Sequence, residues 1–585
     1  MEQKYMWDLT KYCKDIKSCK DEMKQIESEI ENLKVFKGNL DKPEKLCEFF
    51  KKRYELISRL DVCYVYAFAT LDTNAKLSNY QLLSQEIVAL ESKLSSELAF
   101  ADPEITKNKE NLESFKNLPM FKDWTKVLDS YILEADHTLS EKEEKLLAEV
   151  EKFASGFKDI QKSCFNADIK YEDALDENGN PHHLNAGSIA SFMTNPDRVL
   201  RQNVAQKEKE ATEKYSNCMA QTFINYINSK VTFAKIRNYN SVQEVSFSKF
   251  KLSPKIYENV VEHTLKNYHI LEDYLKAKKK ILGLDEMFSY DMNIGLEKQP
   301  KKYTFEEGVE IVKKALSILG EDYIKMIDRA VDERWIDVYP RENKKAGGYC
   351  WGIYTKTDII LLNWTDDIGS VFTLAHELGH AIHHHILYSN QKIQNTHIPV
   401  FMAEVASTFN EVLLFDYLTK NLQNKDEKIV LLERELKEIA GIIFRQIEFS
   451  QFEDFCYKTV ESGGVLTKEI LENKWKEVRI KPYEKIINTT LMNLSTWQNI
   501  WHFYNLSYYV WQYNIAYLIS NHFAKAVLSK QPNALENYFN FLKGSATLYP
   551  TEFLQKLGID ILDQNFYAQS FKNFEKIKDE FISLV

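Results

Sequence analysis

The sequence predicts a mainly α-helical protein with one small β-sheet. Only 12 prolines and 18 glycines occur in 585 residues, which favours long helices joined by short connections. Apolar residues recur three and four positions apart through most of the chain, the spacing of one helix face. Runs rich in β-branched and aromatic residues, which are typical of strands, are confined to positions 335–364.

The composition is that of an ordinary globular protein of roughly two to four domains. The hydrophobic fraction is 44% and the charged fraction 28%. A net charge of −10 is small for this length and argues against a nucleic-acid surface as the main function. The N-terminus is charged and lacks the apolar core of a secretory signal, and no run approaches about 18 apolar residues. We therefore expect a cytoplasmic protein that binds neither nucleic acid nor membrane.

The eight cysteines are scattered along the chain and predict reduced, mostly buried thiols. No pair has the two-residue separation of common zinc and redox motifs. Free thiols are normal in a reducing compartment. The cysteines lie at positions 13, 19, 47, 63, 164, 218, 350 and 456.

Residues 1–160 predict long helices packed on one another. Apolar residues three and four apart alternate with Glu and Lys in the segments 26–36, 82–100 and 139–157. A coiled-coil interface with a partner is the alternative, but the heptads are not sustained. Within this part of the chain no residue cluster has a spacing that predicts chemistry.

The helical pattern stops at 171–190. Asn178-Gly179 is a signal for a hairpin turn. We interpret His182 and His183 as a loop feature, because no carboxylate or thiol follows at ligand spacing.

A new helix is expected shortly afterwards, with Asn195 as its N-cap and Pro196 in its first turn. We place the domain boundary here. The prediction is an N-terminal helical domain at 1–195 and a catalytic domain at 196–585.

Three short runs at 335–340, 346–354 and 358–364 are the strand candidates. An exposed edge strand among them could hold an extended peptide by main-chain hydrogen bonds. Gly347 and Gly348 would let another backbone approach closely. A plain structural hairpin explains the residues equally well.

A helix with the sequence HELGH follows the strands directly. His376 and His380 are four residues apart and so present their imidazoles to one point, an arrangement suited to Zn²⁺. Glu377 can face the metal without binding it, as a general base must. Cap-type residues at 365–367 predict the start of this helix, and 389–390 its end.

A third metal ligand must come from another element. The best candidate is Glu404, in an amphipathic run that opens after Pro399. Its competitor is Glu411, seven residues on and on the same helix face. Ser407 and Thr408, one turn beyond Glu404, are candidates to bond a ligand imidazole, as is Glu411.

Three further histidines, 383–385, are interpreted as a polar helix face or as groups that support the ligands. His384 lies four residues after His380, so a shifted pair is conceivable. That pair lacks the adjacent glutamate, since Ala381 takes its place.

The sequence resembles the M3 family of thimet-oligopeptidase-like zinc metallopeptidases, and within it the oligoendopeptidase F branch. The resemblance rests on LNWTDDIGSVFTLAHELGHAIH and FMAEVASTFNE, with weaker similarity at 282–292, 333–350 and 502–513. It implies an elongated, multi-helix zincin fold with the small sheet beside the HELGH helix. It also implies a deep channel, so that substrates would be short unfolded peptides.

The resemblance further implies that a late His/Tyr segment lines the cleft opposite the zinc and stabilises the oxyanion. Here that segment belongs to the aromatic run at 497–523, most of which should be core. We select residues of it for catalysis or for substrate binding. The catalytic candidates are His502, Tyr504 and Tyr509, and the substrate-binding candidates are Tyr508 and Tyr513, together with Gly347 and Gly348.

The sequence thus predicts a zinc endopeptidase that hydrolyses internal bonds of short peptides. His376, His380 and Glu404 would hold one Zn²⁺ per chain, and Glu377 would take the proton from a zinc-activated water. Two other functions remain open. One is a zinc carboxypeptidase or deacylase acting on peptide ends, and the other is an inactive helical peptide-binding protein. Oligomeric state stays unknown.

Overall fold

A computed structural model describes residues 2–297 and 301–585 of the chain. Helices dominate it, and five strands of two or three residues form two small sheets. This confirms the predicted mainly α class. None of the described helices is both long enough and apolar enough to cross a bilayer.

The first part of the chain forms eight helices among its described residues. They lie at Ile16–Leu33 (α1), Pro43–Thr73 (α2), Ser78–Glu97 (α3), Ala101–Thr106 (α4), Lys109–Phe115 (α5), Thr125–Glu134 (α6), Glu141–Ser163 (α7) and Ile189–Phe192 (α8). Their starts follow the sequence: Asp15 caps α1, proline is the first residue of α2, and Ser140 forms a capping box on α7. The three segments predicted from periodicity fall mainly within α1, α3 and α7.

The rest of the described chain adds sixteen helices. They lie at Arg198–Glu213 (α9), Ser216–Ile236 (α10), Val242–Ser248 (α11), Pro254–Lys266 (α12), His269–Ile281 (α13), Phe305–Leu316 (α14), Glu321–Asp332 (α15), Ile368–Asn390 (α16), Val400–Asn421 (α17), Lys425–Ile439 (α18), Arg445–Glu461 (α19), Lys468–Trp475 (α20), Trp511–Leu528 (α21), Ala534–Gly544 (α22), Pro550–Lys556 (α23) and Gln564–Leu584 (α24).

The start of α9 differs from the prediction. The helix begins at Arg198, and its N-cap is Asp197, whose carboxylate accepts hydrogen bonds from the amides of Val199 and Leu200. Asn195, the predicted cap, instead accepts from the Asp197 amide at 2.9 Å. A carboxylate is an equally good cap, and here it outcompetes the amide two residues earlier.

The predicted hairpin turn at Asn178-Gly179 is confirmed. It joins two short antiparallel strands, Ala174–Leu175 (β1) and Pro181–His182 (β2), and the glycine has φ +79°. His182 lies 3.3 Å from a carboxylate oxygen of Asp176. The chain therefore has a second, smaller sheet besides the one expected near position 350.

The larger sheet has the order β3-β5-β4 and lies where the sequence predicted it. Its strands are Ile336–Asp337 (β3), Tyr349–Trp351 (β4) and Ile359–Leu361 (β5). β5 runs parallel to β3 and antiparallel to β4. Within the described residues, the outer edge of β4 has no strand beside it.

Two large apolar cores flank this sheet. One is built by residues 7–128 and the other by residues 220–581. Ile359 and Leu361 of β5 pack in the first core, whereas Ile360 between them packs in the second. The alternation of strand side chains thus ties the two cores together. The domain boundary at residue 195 stays a prediction.

Buried charges hold the sheet beside the second core. The fully buried carboxylate of Asp337 accepts two hydrogen bonds from Arg341, at 2.6 and 2.8 Å. Lys344, also fully buried, lies 2.7 Å from the same carboxylate and donates to the carbonyls of Tyr339 and Leu362 at 2.8 and 2.5 Å. One ammonium therefore joins β3, β5 and the loop that leads to β4.

Lys344→Met should destabilise the fold by about 3–5 kcal/mol, because it leaves Asp337 and two carbonyls short of a donor in a buried site. Denaturant unfolding checks this. The control is Lys345→Met at the next position, whose side chain is 56% exposed and pairs with Asp72 at 3.1 Å. An exposed pair of that kind contributes about 0–1 kcal/mol. Equal midpoints for the two variants would contradict the role of Lys344.

Candidate metal centre

The HELGH segment lies in the middle of α16, whose ends match the prediction. The carboxylate of Asp367 caps the helix by accepting from the Ser370 amide at 2.7 Å. His376 and His380 project from the same face, and their Nε2 atoms are 3.2 Å apart. The helical spacing therefore converges two imidazole nitrogens on one point.

Glu404 of α17 supplies a third ligand-type atom. Its Oε2 lies 3.6 Å from Nε2 of His376 and 3.6 Å from Nε2 of His380. Tetrahedral zinc with bonds of 2.0–2.1 Å would space its ligand atoms about 3.3–3.4 Å apart. The three atoms fit three vertices of such a centre and leave the fourth free, which is the pattern of catalytic zinc sites.

Helices α16 and α17 meet at Gly379. A Cβ atom there would lie 2.6 Å from the Ala406 carbonyl oxygen and 2.6 Å from the Ser407 Cα. The helices are also joined by Asn410, which donates to the Ala375 carbonyl at 3.0 Å. Sequence reasoning missed both residues. Gly379 could have been noticed, because a glycine inside a helix costs about 1 kcal/mol of helix stability relative to alanine. Such a glycine usually indicates that another element packs closely against the helix.

Glu411 forms a hydrogen bond with Nδ1 of His376, the ring nitrogen that faces away from Glu404. Its Oε1 lies 2.6 Å from Nδ1 of that ring, so the carboxylate fixes the ring orientation and directs Nε2 toward Glu404. Burial works to lower the pKa of His376, but the bond to Glu411 and the neighbouring carboxylates outweigh it and raise the pKa to about 10. A proton and a metal ion therefore compete for this imidazole.

Ser407 and Thr408 do not bond an imidazole, contrary to expectation. The Ser407 hydroxyl lies 3.2 Å from Oε2 of Glu404 and donates to the Glu404 carbonyl at 2.9 Å. Thr408 bonds the same carbonyl at 2.6 Å. Hydroxyls in a helix commonly bond a carbonyl one turn back, and both residues follow that preference. Ser407 thereby orients the carboxylate rather than a ring.

Glu377 is 6% exposed and lies against the sheet. A Cβ atom built on Gly348 would be 3.4 Å from Glu377 Oε1, so the loop before β4 passes directly beside this carboxylate. Burial raises the pKa of Glu377 to about 7, with His376 opposing the shift and Glu404 adding to it. Such a value suits a group that must both accept and release a proton near neutral pH.

The additional histidines have partners of their own. His383 is buried, not on a polar face, and its Nε2 lies 2.7 Å from the Ser545 hydroxyl. His384 points its Nδ1 to a carboxylate oxygen of Asp358 at 3.3 Å. Its ring centre is 6.4 Å from that of His380, and it belongs to a different group of ligand-type side chains. The geometry therefore favours the pair His376 and His380 over a shifted pair.

Three residues of the late aromatic run form a cluster. The hydroxyls of Tyr509 and Tyr513 are 2.9 Å apart, and the His502 ring lies 5.9 and 6.2 Å from their ring centres. Burial raises the pKa of both tyrosines, and the charge of Glu404 adds to the shift in each case. The cluster therefore lies within electrostatic reach of the Glu404 carboxylate.

The structure does not bring Tyr504 and Tyr508 into this cluster, and their predicted roles stay untested. Tyr504 is 3% exposed and packs against Phe223 in the core. Tyr508 is 1% exposed, and its hydroxyl bonds Asp454 at 3.0 Å. The residues before Trp511 make short 3₁₀ turns and irregular backbone, and α21 begins only at Trp511. These turns direct both tyrosines inward.

Gly347 and Gly348 differ in their surroundings. Gly347 has φ +86° and open space where a side chain would lie, whereas a Cβ on Gly348 would be 3.0 Å from Thr373 of α16. Both precede β4, whose outer edge is unpaired among the described residues. The backbone at this edge is thus accessible and close to Glu377.

Family profiles match about three quarters of the chain. The profile described as Peptidase family M3 matches residues 191–573, and the one described as Oligopeptidase F matches residues 105–171. The chain is 29% identical to Group B oligopeptidase PepB of Streptococcus agalactiae, over 100% of this chain and 98% of that protein. It is 31% identical to oligopeptidase PepF of Bacillus subtilis, over 96% and 85% of the two chains.

Solved structures share the fold over almost the full length of this chain. The crystal structure of oligoendopeptidase-F from Enterococcus faecium superimposes with a TM-score of 0.77 at 25% identity, covering 97% of this chain and 98% of that one. A crystal structure from Chlamydophila abortus superimposes with a TM-score of 0.90 at 29% identity, covering 100% and 99% of the two chains.

Gly379→Ala should weaken metal binding about tenfold or more and lower the melting temperature. The added methyl group would overlap α17 and push Glu404 away from the two imidazoles, with an overpacking cost of about 1–3 kcal/mol. Metal titration and thermal unfolding measure the two effects. Gly156→Ala in α7 is the control, because nothing lies within 4 Å of its Cβ position. If both variants bound metal alike, the helix contact would not position the site.

Glu404→Gln should reduce zinc affinity more than Glu411→Gln. The first change removes a charged ligand atom, whereas the second removes only the partner of His376, a loss that typically costs about 10–100-fold. Competition with a chromogenic chelator gives both affinities. A reversed order, with Glu404→Gln silent, would mean that the third ligand is misassigned.

Proposed function

This chain belongs to peptidase family M3, and we propose that it cuts internal bonds of short peptides at the centre formed by His376, His380 and Glu404. Members of this family are metallopeptidases, so the chain is a metalloendopeptidase with peptide substrates. Family membership does not by itself identify the catalytic and metal-binding residues of this chain. The observation that supports our assignment is the convergence of three ligand atoms beside a buried carboxylate.

We assign one zinc ion per chain to this centre. Two imidazoles and one carboxylate are the donor set of catalytic zinc, and the 3.2 and 3.6 Å separations suit its tetrahedral geometry. When bound, zinc supplies Lewis-acid polarisation of the substrate carbonyl and lowers the pKa of water. Glu411 and Ser407 hold His376 and Glu404 in the orientation that this requires.

Glu377 is the general base in this proposal. It follows His376 directly on α16, faces the loop before β4, and has a pKa of about 7 because of burial. Its carboxylate would accept a proton from the attacking water and later return it to the leaving amine. Bound zinc adds a positive charge nearby and would favour the ionised form.

Tyr509 and Tyr513 are proposed to donate hydrogen bonds to the developing oxyanion. Their raised pKa values keep both hydroxyls protonated at neutral pH, so both remain donors. Burial and the nearby Arg445 lower the pKa of His502, which leaves that ring neutral. A neutral His502 would orient the tyrosines without adding a second positive charge to the cleft.

We propose that an extended peptide substrate binds along the unpaired edge of β4. Main-chain hydrogen bonds to a strand edge hold an extended peptide whatever its side chains are. The open space at Gly347 leaves room for the peptide backbone. The scissile bond would then lie near Glu377, because Gly348 contacts that residue.

We also propose the two-domain division at residue 195 and a cytoplasmic location. Most of one large core comes from residues 7–128, and the other comes from residues 220–581, as expected of two domains that share a sheet. The eight cysteines are all free, and six of them are buried, as is common in a reducing compartment. Binding to nucleic acid or membrane forms no part of the proposed function.

Glu377→Gln should retain zinc and fold but lose peptide cleavage by about 10²–10⁴-fold, because the amide cannot accept the proton. Cleavage of a peptide mixture is followed by mass spectrometry, and metal content by elemental analysis. A variant that cleaves within tenfold of the unchanged enzyme would remove Glu377 from the mechanism.

Peptides blocked at both ends distinguish an endopeptidase from an enzyme that acts on termini. N-acetylated, C-amidated peptides should be cut internally at rates comparable to their free counterparts. Cleavage confined to free-ended peptides would instead indicate a carboxypeptidase.

A further inference from the structure

Three cysteines, of which Cys63 is distant in sequence from the other two, meet in the N-terminal core. The sulfur atoms of Cys13, Cys19 and Cys63 all lie within 4.8 Å of one another. The residues are 7%, 0% and 0% exposed. This corrects the expectation that the first 160 residues contain no chemically competent cluster. No motif reveals the group, because its third member comes from a different helix.

The group is assembled from three different backbone contexts. Cys13 lies in the irregular segment just before α1, Cys19 in the first turns of α1, and Cys63 inside α2. The capping box of Asp15 and Ser18 fixes the start of α1, so the position of Cys19 is well defined. The Sγ of Cys63 is 4.0 Å from the Cys19 carbonyl oxygen.

We propose that Cys13, Cys19 and Cys63 form a binding site for one soft, thiolate-preferring metal ion, with monovalent copper as the preferred ion. Thiolate ligands select such ions over harder ones. The group contains no nitrogen or oxygen ligand, whereas structural zinc requires four ligands. A trigonal centre with metal–sulfur bonds of about 2.3 Å would place its sulfurs about 4 Å apart, within the observed limit.

The binding step conserves electrons. Three copper–sulfur bonds form as the copper–acetonitrile bonds break. The S–H bonds of Cys13, Cys19 and Cys63 break, and three protons pass to solvent. No group is oxidised or reduced. The net charge of the site changes from 0 to −2, which the Lys356 ammonium partly compensates.

The ion has a route to the site that does not require the helices to separate. Cys13 is the outermost ligand, and Lys14 and Asp15 beside it are exposed. A displacement of this short segment would uncover the sulfurs while α1 and α2 stay packed. The Tyr12 hydroxyl donates to the Thr357 carbonyl in the β4–β5 connection, which anchors the segment on its other side.

The test uses the full, zinc-loaded chain. Copper(I) is supplied anaerobically as its acetonitrile complex, and weakly held metal is removed with excess glutathione. We expect one retained copper per chain, a copper–thiolate absorption band in the ultraviolet, and release of three protons. Failure to retain copper would overturn the proposal. Peptide cleavage is not a readout, so the result is independent of the proposed function.

Single Cys→Ser substitutions identify which cysteines bind the ion. Cys13→Ser should reduce copper retention at least tenfold, and a melting curve checks that this variant remains folded. Cys63→Ser should act likewise. Cys47→Ser, buried in the same helix α2 but outside the group, should retain copper fully. Retention that survives Cys13→Ser and Cys63→Ser, or that is lost in Cys350→Ser or Cys218→Ser, would place the ion elsewhere and contradict the proposal.

Discussion

The metal centre depends on how closely two helices touch. The Glu404 carboxylate reaches both imidazoles only because α17 lies directly on α16 at Gly379, where even one methyl group would overlap the neighbouring backbone. Asn410 joins the same helices by a hydrogen bond to a carbonyl. Shifting the helices apart by the width of a methyl group would leave each side chain in place on its own helix but separate the ligand atoms.

The same close packing concentrates charge. Glu377, Glu404 and Glu411 surround two half-buried imidazoles, and burial raises the pKa of both Glu377 and Glu404. Repulsion among these carboxylates opposes the folded arrangement, and a divalent cation bound at the proposed centre would relieve it. We infer that this relief would contribute to the affinity of the proposed centre for a cation.

Local features of the fold could be predicted from sequence, and features that depend on tertiary contacts could not. Periodicity and cap residues located α16 and α17 because both act over a few positions. Glu404 required the family resemblance as well. The burial of Tyr504 was not predicted, because this residue lies in a short turn whose conformation depends on its neighbours. No sequence spacing connects Cys63 with Cys13 and Cys19, so their proximity is visible only in the folded chain.

The alternation of β5 between two cores limits how the enzyme can be shortened. Ile359 and Leu361, together with Ile353, contribute to the core built by residues 7–128. A fragment trimmed to the peptidase segment alone would expose these side chains to water and leave the β4 edge supported from one side. The N-terminal helices therefore complete the packing around the larger sheet, and a minimal active fragment must include them.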